Sequence, residues 1–232
     1  MQREIVLDTE TTGLKANGGD RLVEIGCIEI INRIPSGIEF HAFINPEGRE
    51  VHPEAEAIHG ISNAFLEDKP AFSEIVTGFI DFIGSDQLVI HNAPFDIGFI
   101  NMELQRIEQP VITMDRVVDT LALARQKHPA GPNTLDALCK RYGIDNTIRT
   151  KHGAIVDSLL LADVYVELLG ERQAKLSLAQ KGQASLESRR MEAVAQRPEP
   201  LPSRLTADDL ARHEAFVETL GDRPLWKNNA SG

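Results

Sequence analysis

The opening run of this chain, Arg3-Glu4-Ile5-Val6-Leu7-Asp8, constrains its fold more than any other feature. Its apolar centre, Ile5-Val6-Leu7, has two β-branched residues and reads as a short buried strand. The strand ends in a carboxylate, and Glu10 follows two residues later. Side chains two apart on a strand point the same way, so Asp8 and Glu10 can reach one cation together.

The rest of the chain is punctuated by Gly and Pro. Asn17-Gly18-Gly19 marks a turn. Strand-like runs are predicted over about 21–32 and 37–45, split by Pro35-Ser36-Gly37, with Ile38, Phe40, Ala42 and Ile44 alternating onto one face. Pro53 to His59 predicts a short helix stopped by Gly60, and Phe72, Ile75, Val76, Phe79, Ile80 and Ile83 recur at helical spacing up to Gly84. Gln87 to His91 is a further short strand, and Pro94 opens a helix to about Ile107. Helices are also predicted over Thr134–Tyr142, before Gly143, and over Ala154–Leu169, before Gly170. Strands first, then strands interleaved with helices, predict an α/β domain with a mixed sheet over 1–170.

From residue 171 the composition changes. Residues 179–203 are rich in Gln, Ser, Arg and Glu and then in proline (Pro198, Pro200, Pro202), so 171–203 reads as a linker. Periodicity returns over 206–220, with Leu210, Phe216, Val217 and Leu220 on one side, a helix start at Thr206 and Asp209, and a stop at Gly221. Residues 204–232 therefore form a distinct tail, closing on Pro224-Leu225-Trp226.

Charge narrows the function. The chain carries a net −11, and residues 1–170 hold 14 basic against 26 acidic side chains. An acidic body argues against tight autonomous nucleic-acid binding and fits a site that needs divalent cations before a phosphate can approach. No signal pattern or membrane-length apolar run is evident, and Cys27 and Cys139 each sit in an apolar periodic stretch, as buried thiols of a cytoplasmic protein would.

Two more acids stand where elements begin. Asp96 closes His-Asn-Ala-Pro-Phe-Asp at a helix start, and Asp157 lies early in the last helix of the domain, five residues after His152. Taken singly, each has a plain structural reading, as a solvated strand end, a first-turn helix acid, a polar helix face or a loop histidine. Asp163 shares a helix with Asp157 but lacks the histidine spacing. Together they are specific. Hard oxygen ligands without a Cys partner select Mg²⁺ or Mn²⁺ over Zn²⁺. Two such cations, roughly 3.5–4 Å apart, can stabilise both ends of an in-line phosphodiester displacement. A histidine supplies a base near neutral pH.

The ordered set Asp8-x-Glu10, Asp96 and His152-x4-Asp157 resembles the DEDDh exonuclease family over roughly 1–170. The surrounding Asp-Thr-Glu-Thr-Thr-Gly, Ile58-His59-Gly60-Ile61, His91-Asn92-Ala93-Pro94-Phe95 and Thr134-Leu135-Asp136-Ala137-Leu138 match as well. The resemblance implies an RNase H-like mixed sheet flanked by helices, with a flexible C-terminal tail, and two divalent metal ions, Mg²⁺ or Mn²⁺. It implies that Asp8, Glu10 and Asp157 bind metal directly, that Asp96 assists the second ion through water, and that His152 activates the attacking water. Asp8, Glu10 and Asp157 also border the substrate, Glu54 and His59 match positions that contact the terminal nucleotide, and His91 and Asn92 line the same cleft.

Within the family the chain is most similar to the proofreading exonuclease subunits of bacterial replicative polymerases. That likeness implies 3′→5′ removal of nucleotides from DNA 3′ ends. Residues 173–178 resemble a sliding-clamp-binding hexapeptide, with Gln173, Leu176 and Leu178 as its anchors. The tail resembles the segment that binds the polymerase alpha subunit, through Leu210, Val217, Leu220 and Trp226. A small third subunit that stabilises the exonuclease domain is implied too. Two alternatives stay open on the residues alone. One is an RNA exonuclease of the same family, like ribonuclease T or oligoribonuclease. The other is a clamp–polymerase scaffold with a minor nuclease role.

Overall fold

The computed structural model describes residues 2–147, 149, 151–170 and 205–219. They fall into two compact units, one within 1–175 and one within 176–232. In the first unit, strands β1 (Arg3–Thr11), β2 (Leu22–Ile31) and β3 (Ile34–Phe43) precede helices α1 (Pro53–His59), α2 (Asn63–Leu66) and α3 (Phe72–Ile83). Strand β4 (Gln87–Ile90), helix α4 (Ala93–Arg106), strand β5 (Val117–Asp119) and helices α5 (Thr120–Lys127), α6 (Leu135–Tyr142) and α7 (Ala154–Leu169) complete it. The strands form one mixed sheet in the order β3-β2-β1-β4-β5. β1 pairs antiparallel with β2 and parallel with β4, so the strand that opens the chain is its centre.

Alternation along β1 divides the core. Ile5 and Leu7 pack with Phe72, Phe79 and Ile83 of α3 and with Ile97 and Ile100 of α4. Val6 faces the other way, into Leu138 of α6 and Leu160, Leu161 and Val164 of α7. The centre of the sheet is therefore sealed on both faces, which is why an uninterrupted apolar run suits it. Asp8 and Glu10 share the parity of Val6 and so lie on the α7 side, while Thr9 lies on the α4 side.

The turn between β2 and β3 differs from the sequence expectation. It is made by Asn32 and Arg33, both in the left-handed region (φ 50° and 69°), which is the two-residue hairpin geometry that matches strand twist. Pro35, Ser36 and Gly37, expected to break the strands, lie inside β3, with Pro35 opposite Ile30. They are tolerated because β3 is an edge strand and need not donate outward. The expected buried face of β3 is also incomplete. Phe40 packs on Phe79 and Phe82, but Ile38 remains 55% exposed. The short elements α2, β5 and α5 escape the periodicity reading, since β5 is three residues long.

The first turn of α7 rests directly on the sheet. Gly26 of β2 lies opposite Asp8, and a Cβ there would stand 2.4 Å from the Ala154 carbonyl carbon. Ser158 Oγ donates to the Gly26 carbonyl at 3.0 Å, and the Ala154 amide donates to Glu24 at 3.3 Å. In the second unit, helix α8 (Ala207–Glu218) starts with a capping box between Thr206 and Asp209, as expected. Val217 is buried, whereas Leu210 and Phe216 are exposed. Gln173, Leu176, Leu178, Leu220, Gly221 and Trp226, the remaining anchors and helix stop read from the sequence, lie outside the described residues.

Gly26→Ala is expected to force α7 off the sheet and destabilise the domain by about 1–3 kcal/mol. Gly98→Ala, in α4 where an added Cβ would meet nothing within 4 Å, is expected to stabilise it by roughly 0.5–1 kcal/mol. Urea unfolding of the two variants checks both signs; a neutral Gly26→Ala would show that the close approach is not needed.

Candidate active site

Three elements deliver the acids to one place. β1 supplies Asp8 and Glu10, the first turn of α4 supplies Asp96, and the first turn of α7 supplies Asp157. Both helical acids sit at N-termini, where the helix dipole favours negative charge. Both are buried, Asp96 3% and Asp157 4% exposed. Thr9, on the opposite side of β1 from Asp8, donates its hydroxyl to Asp96 Oδ1 at 2.7 Å and so fixes α4 against the strand.

His152 is exposed, immediately before α7. Its amide donates to the Ile58 carbonyl at the end of α1 at 3.3 Å, and its Nδ1 lies 3.3 Å from Asp157 Oδ2. Ligand atoms of Glu10, His152 and Asp157 all fall within 4.8 Å of one another. These groups open onto a cleft of about 640 Å³, also lined by His91, Asn92 and Phe95. That volume suits a nucleotide-sized ligand.

The site crowds negative charge. Burial pushes the Asp8 carboxyl well above its usual range, and Asp96, Glu10 and Asp157 push it further. Burial, with repulsion from Glu24, Asp157 and Asp96, raises Glu10 to about 8. Burial raises Asp96 to about 7 against the opposing Thr9 hydrogen bond. Acids in this state hold protons unless cations replace them. The donor set is carboxylate oxygen with one imidazole and no thiolate, which fits hard divalent ions.

The other expected contacts line two adjoining clefts. His91 sits against Thr120 Oγ1 at 2.9 Å, and burial lowers its pKa. Asn92 adopts a left-handed backbone (φ 67°), and its amide donates to Asp119 Oδ1 at 3.1 Å. Glu54 and His59 fall in a second cleft that shares Thr9, Glu10 and Phe95 with the first. Glu54 is exposed there, while His59 is 7% exposed. Its Nδ1 accepts from the Ile61 amide at 3.0 Å, so its Nε2 donates to the Thr11 carbonyl at 3.3 Å. The exposed Leu14 and Ile58 add an apolar lip to this second cleft.

Sequence reasoning missed Thr9, Gly26, Asp119 and Arg149. Arg149 bonds to Asp157, His152 and Asp136. A signal existed for it: a buried acidic cluster needs a counter-charge, and Arg149 stands three residues before His152.

The comparisons with known proteins agree with this geometry. The family model described as Exonuclease matches residues 5–165. The DNA polymerase III subunit epsilon of Rickettsia felis is 44% identical over 225 residues, covering 94% of this chain and 96% of its own. Its counterpart from Escherichia coli K12 is 42% identical over 240 residues, covering 97% of each chain. Among solved structures, exonuclease X in complex with 5′-overhanging duplex DNA matches with a TM-score of 0.59 and 26% identity, over 72% of this chain and 92% of that one.

The raised carboxyls give a pH prediction with a definite sign. A carboxyl whose pKa is higher in the folded than in the unfolded state stabilises the fold below its unfolded pKa, and that contribution is lost as pH rises through the folded value. In chelator, the melting temperature should therefore fall by roughly 5 °C or more between about pH 5 and about pH 9. Mg²⁺ should restore it at the alkaline end and change little at the acid end. Thermal melts across pH check this; equal Mg²⁺ stabilisation at both ends would contradict it.

Proposed function

The chain belongs to the exonuclease family, in the branch of the DNA polymerase III epsilon subunits, and on that footing we propose that it excises nucleotides from DNA 3′ ends as the proofreading subunit of a replicative polymerase. The observation that carries the reading is the convergence of Asp8, Glu10, Asp96 and Asp157 on one cleft beside an exposed His152. In this reading Asp8, Glu10 and Asp157 hold divalent cations, Mg²⁺ or Mn²⁺, and Asp96 holds the second of two through water. When bound, the cations stabilise charge on the phosphate oxygens and on the leaving 3′-oxygen. His152 takes the proton of the attacking water, and its exposure leaves it room to do so.

The second cleft receives the terminal nucleotide. Leu14 and Ile58 offer apolar surface to a base, and Glu54 offers an acceptor to a hydroxyl. His59, with both ring nitrogens bonded to backbone, contacts the nucleotide through its ring edge while holding α1 to the end of β1. His91 and Asn92 line the first cleft beside the acids.

An acidic body holds DNA weakly, so the enzyme works where a tether places it. We assign the tether to residues 204–232, with Leu210, Val217, Leu220 and Trp226 contacting the polymerase alpha subunit, and a second contact to Gln173, Leu176 and Leu178 on the sliding clamp. The exposure of Leu210 on α8 leaves it available for such a contact. We assign to the exonuclease domain the contact with a small stabilising third subunit. The buried free thiols Cys27 and Cys139 suit the reducing cytoplasm in which replication proceeds. Among the described residues no helix is long and apolar enough to cross a membrane. The names of the relatives favour DNA over RNA as substrate, and the complete acidic set speaks against a scaffold with an idle site.

Release of mononucleotides from a mismatched DNA primer and from RNA, with Mg²⁺, tests the reading. Asp8→Ala is expected to abolish release in a folded protein, and His152→Ala to slow it by about 10²–10⁴-fold. Truncation after residue 170 should leave hydrolysis of a short oligonucleotide nearly intact and end co-purification with the polymerase subunit. Near-normal release by folded Asp8→Ala, or RNA cleaved in preference to DNA, would overturn it.

A further inference from the structure

Arg149 is nearly buried, its side chain 7% exposed, and it engages three partners at once. Nη2 donates to Asp157 Oδ2 at 2.6 Å, and Nε stands 2.5 Å from Asp157 Oδ1 without a hydrogen bond between them, so the guanidinium lies against both oxygens and bonds one. Nη2 also donates to His152 Nδ1 at 2.6 Å, and Nη1 donates to Asp136 Oδ1 at 2.6 Å. A guanidinium has donors and no acceptor. The His152 nitrogen facing it must therefore present its lone pair, which places the proton of the neutral ring on Nε2.

Two things follow from this geometry. The guanidinium bonds Oδ2 and crowds Oδ1, so a cation approaching Asp157 meets it at both oxygens. The lone pair of His152 Nδ1 is covered as well. We infer that Arg149 is a resident counter-cation that competes with divalent cations for Asp157 while covering His152 Nδ1, and that it withdraws onto Asp136 when divalent cations take Asp157. The inference rests on the reading of Asp157 as a cation ligand.

The physical need is plain. Asp157 is buried beside Asp8, Glu10 and Asp96, and an unpaired buried carboxylate there would be strongly unfavourable. Arg149 relieves that repulsion without a metal, since it cannot lose its proton. Asp136, whose side chain is 57% exposed, already holds one arm of the guanidinium at the rim of the cleft. Arg149 can thus release Asp157 and keep a partner. It acts through Asp157 and His152, which makes it a positioning residue.

Mn²⁺ binding to the full chain, titrated by calorimetry without substrate, tests this. Arg149→Gln removes the competitor and should bind Mn²⁺ roughly tenfold or more tightly than wild type. A merely structural role for Arg149 would move affinity the other way, because a misplaced Asp157 is a poorer ligand. Asp136→Asn alters an exposed side chain and removes the partner that holds the guanidinium once it has left Asp157. It should weaken binding by about two- to threefold, and it carries the test if Arg149→Gln does not fold. Unchanged or weaker binding in a folded Arg149→Gln protein overturns the inference, as does unchanged or tighter binding in Asp136→Asn when Arg149→Gln does not fold. Wild type that binds no Mn²⁺, or Asp157→Asn that binds it as well as wild type, overturns instead the reading of Asp157 as a ligand.

Discussion

Helix α7 meets the sheet at a position that lacks a side chain, and the rest of the site depends on that contact. Gly26 lies opposite Asp8 on the neighbouring strand, and α7 begins against it. A helix normally packs on a sheet through its side chains. Here the helix backbone itself touches the strand, so the first turn of α7 is brought down to the level of β1. Asp157 then shares a cleft with Asp8 and Glu10 instead of standing above it. Ser158 and Glu24 bond across the same contact and keep the approach in register. On the other face, Thr9 does the corresponding task for Asp96.

That geometry concentrates charge, and much of the remaining chemistry answers it. Buried acids this close to each other hold protons, borrow Arg149, or take metal, as the raised Asp8, Glu10 and Asp96 carboxyls indicate. A fold that spends this much stability on repulsion gains a place where a phosphate and its counter-ions bind together. The same acidity that prepares the site leaves residues 1–170 few basic groups with which to neutralise phosphates.

Much of this is legible in the sequence. Asp8 and Glu10 follow from strand alternation, and the ends of α1, α3, α6 and α7 follow from Gly60, Gly84, Gly143 and Gly170, each in a conformation that suits a helix stop. Asp96 and Asp157 were readable because helix starts are local signals. The β2–β3 turn was misplaced because Asn32-Arg33 carries no glycine, while Pro35 and Gly37 look like breakers and are accommodated by an edge strand. Gly26 could not be read, since its role depends on α7, more than 120 residues away in the chain. Thr9 is hidden for the same reason, its partner Asp96 being set by packing, whereas Arg149 stands three residues before His152 and is legible as the counter-charge a buried acidic cluster needs.

The central claim is that the acids of β1, α4 and α7 form one site for paired divalent cations. Anomalous diffraction from crystals grown with Mn²⁺ and a nucleoside 5′-monophosphate tests it most directly. The account predicts two peaks about 3.5–4 Å apart beside Asp8, Glu10 and Asp157, with Asp157 freed from Arg149. A single peak remote from Asp8, or an Asp157 still clasped by Arg149 with metal present, would contradict it.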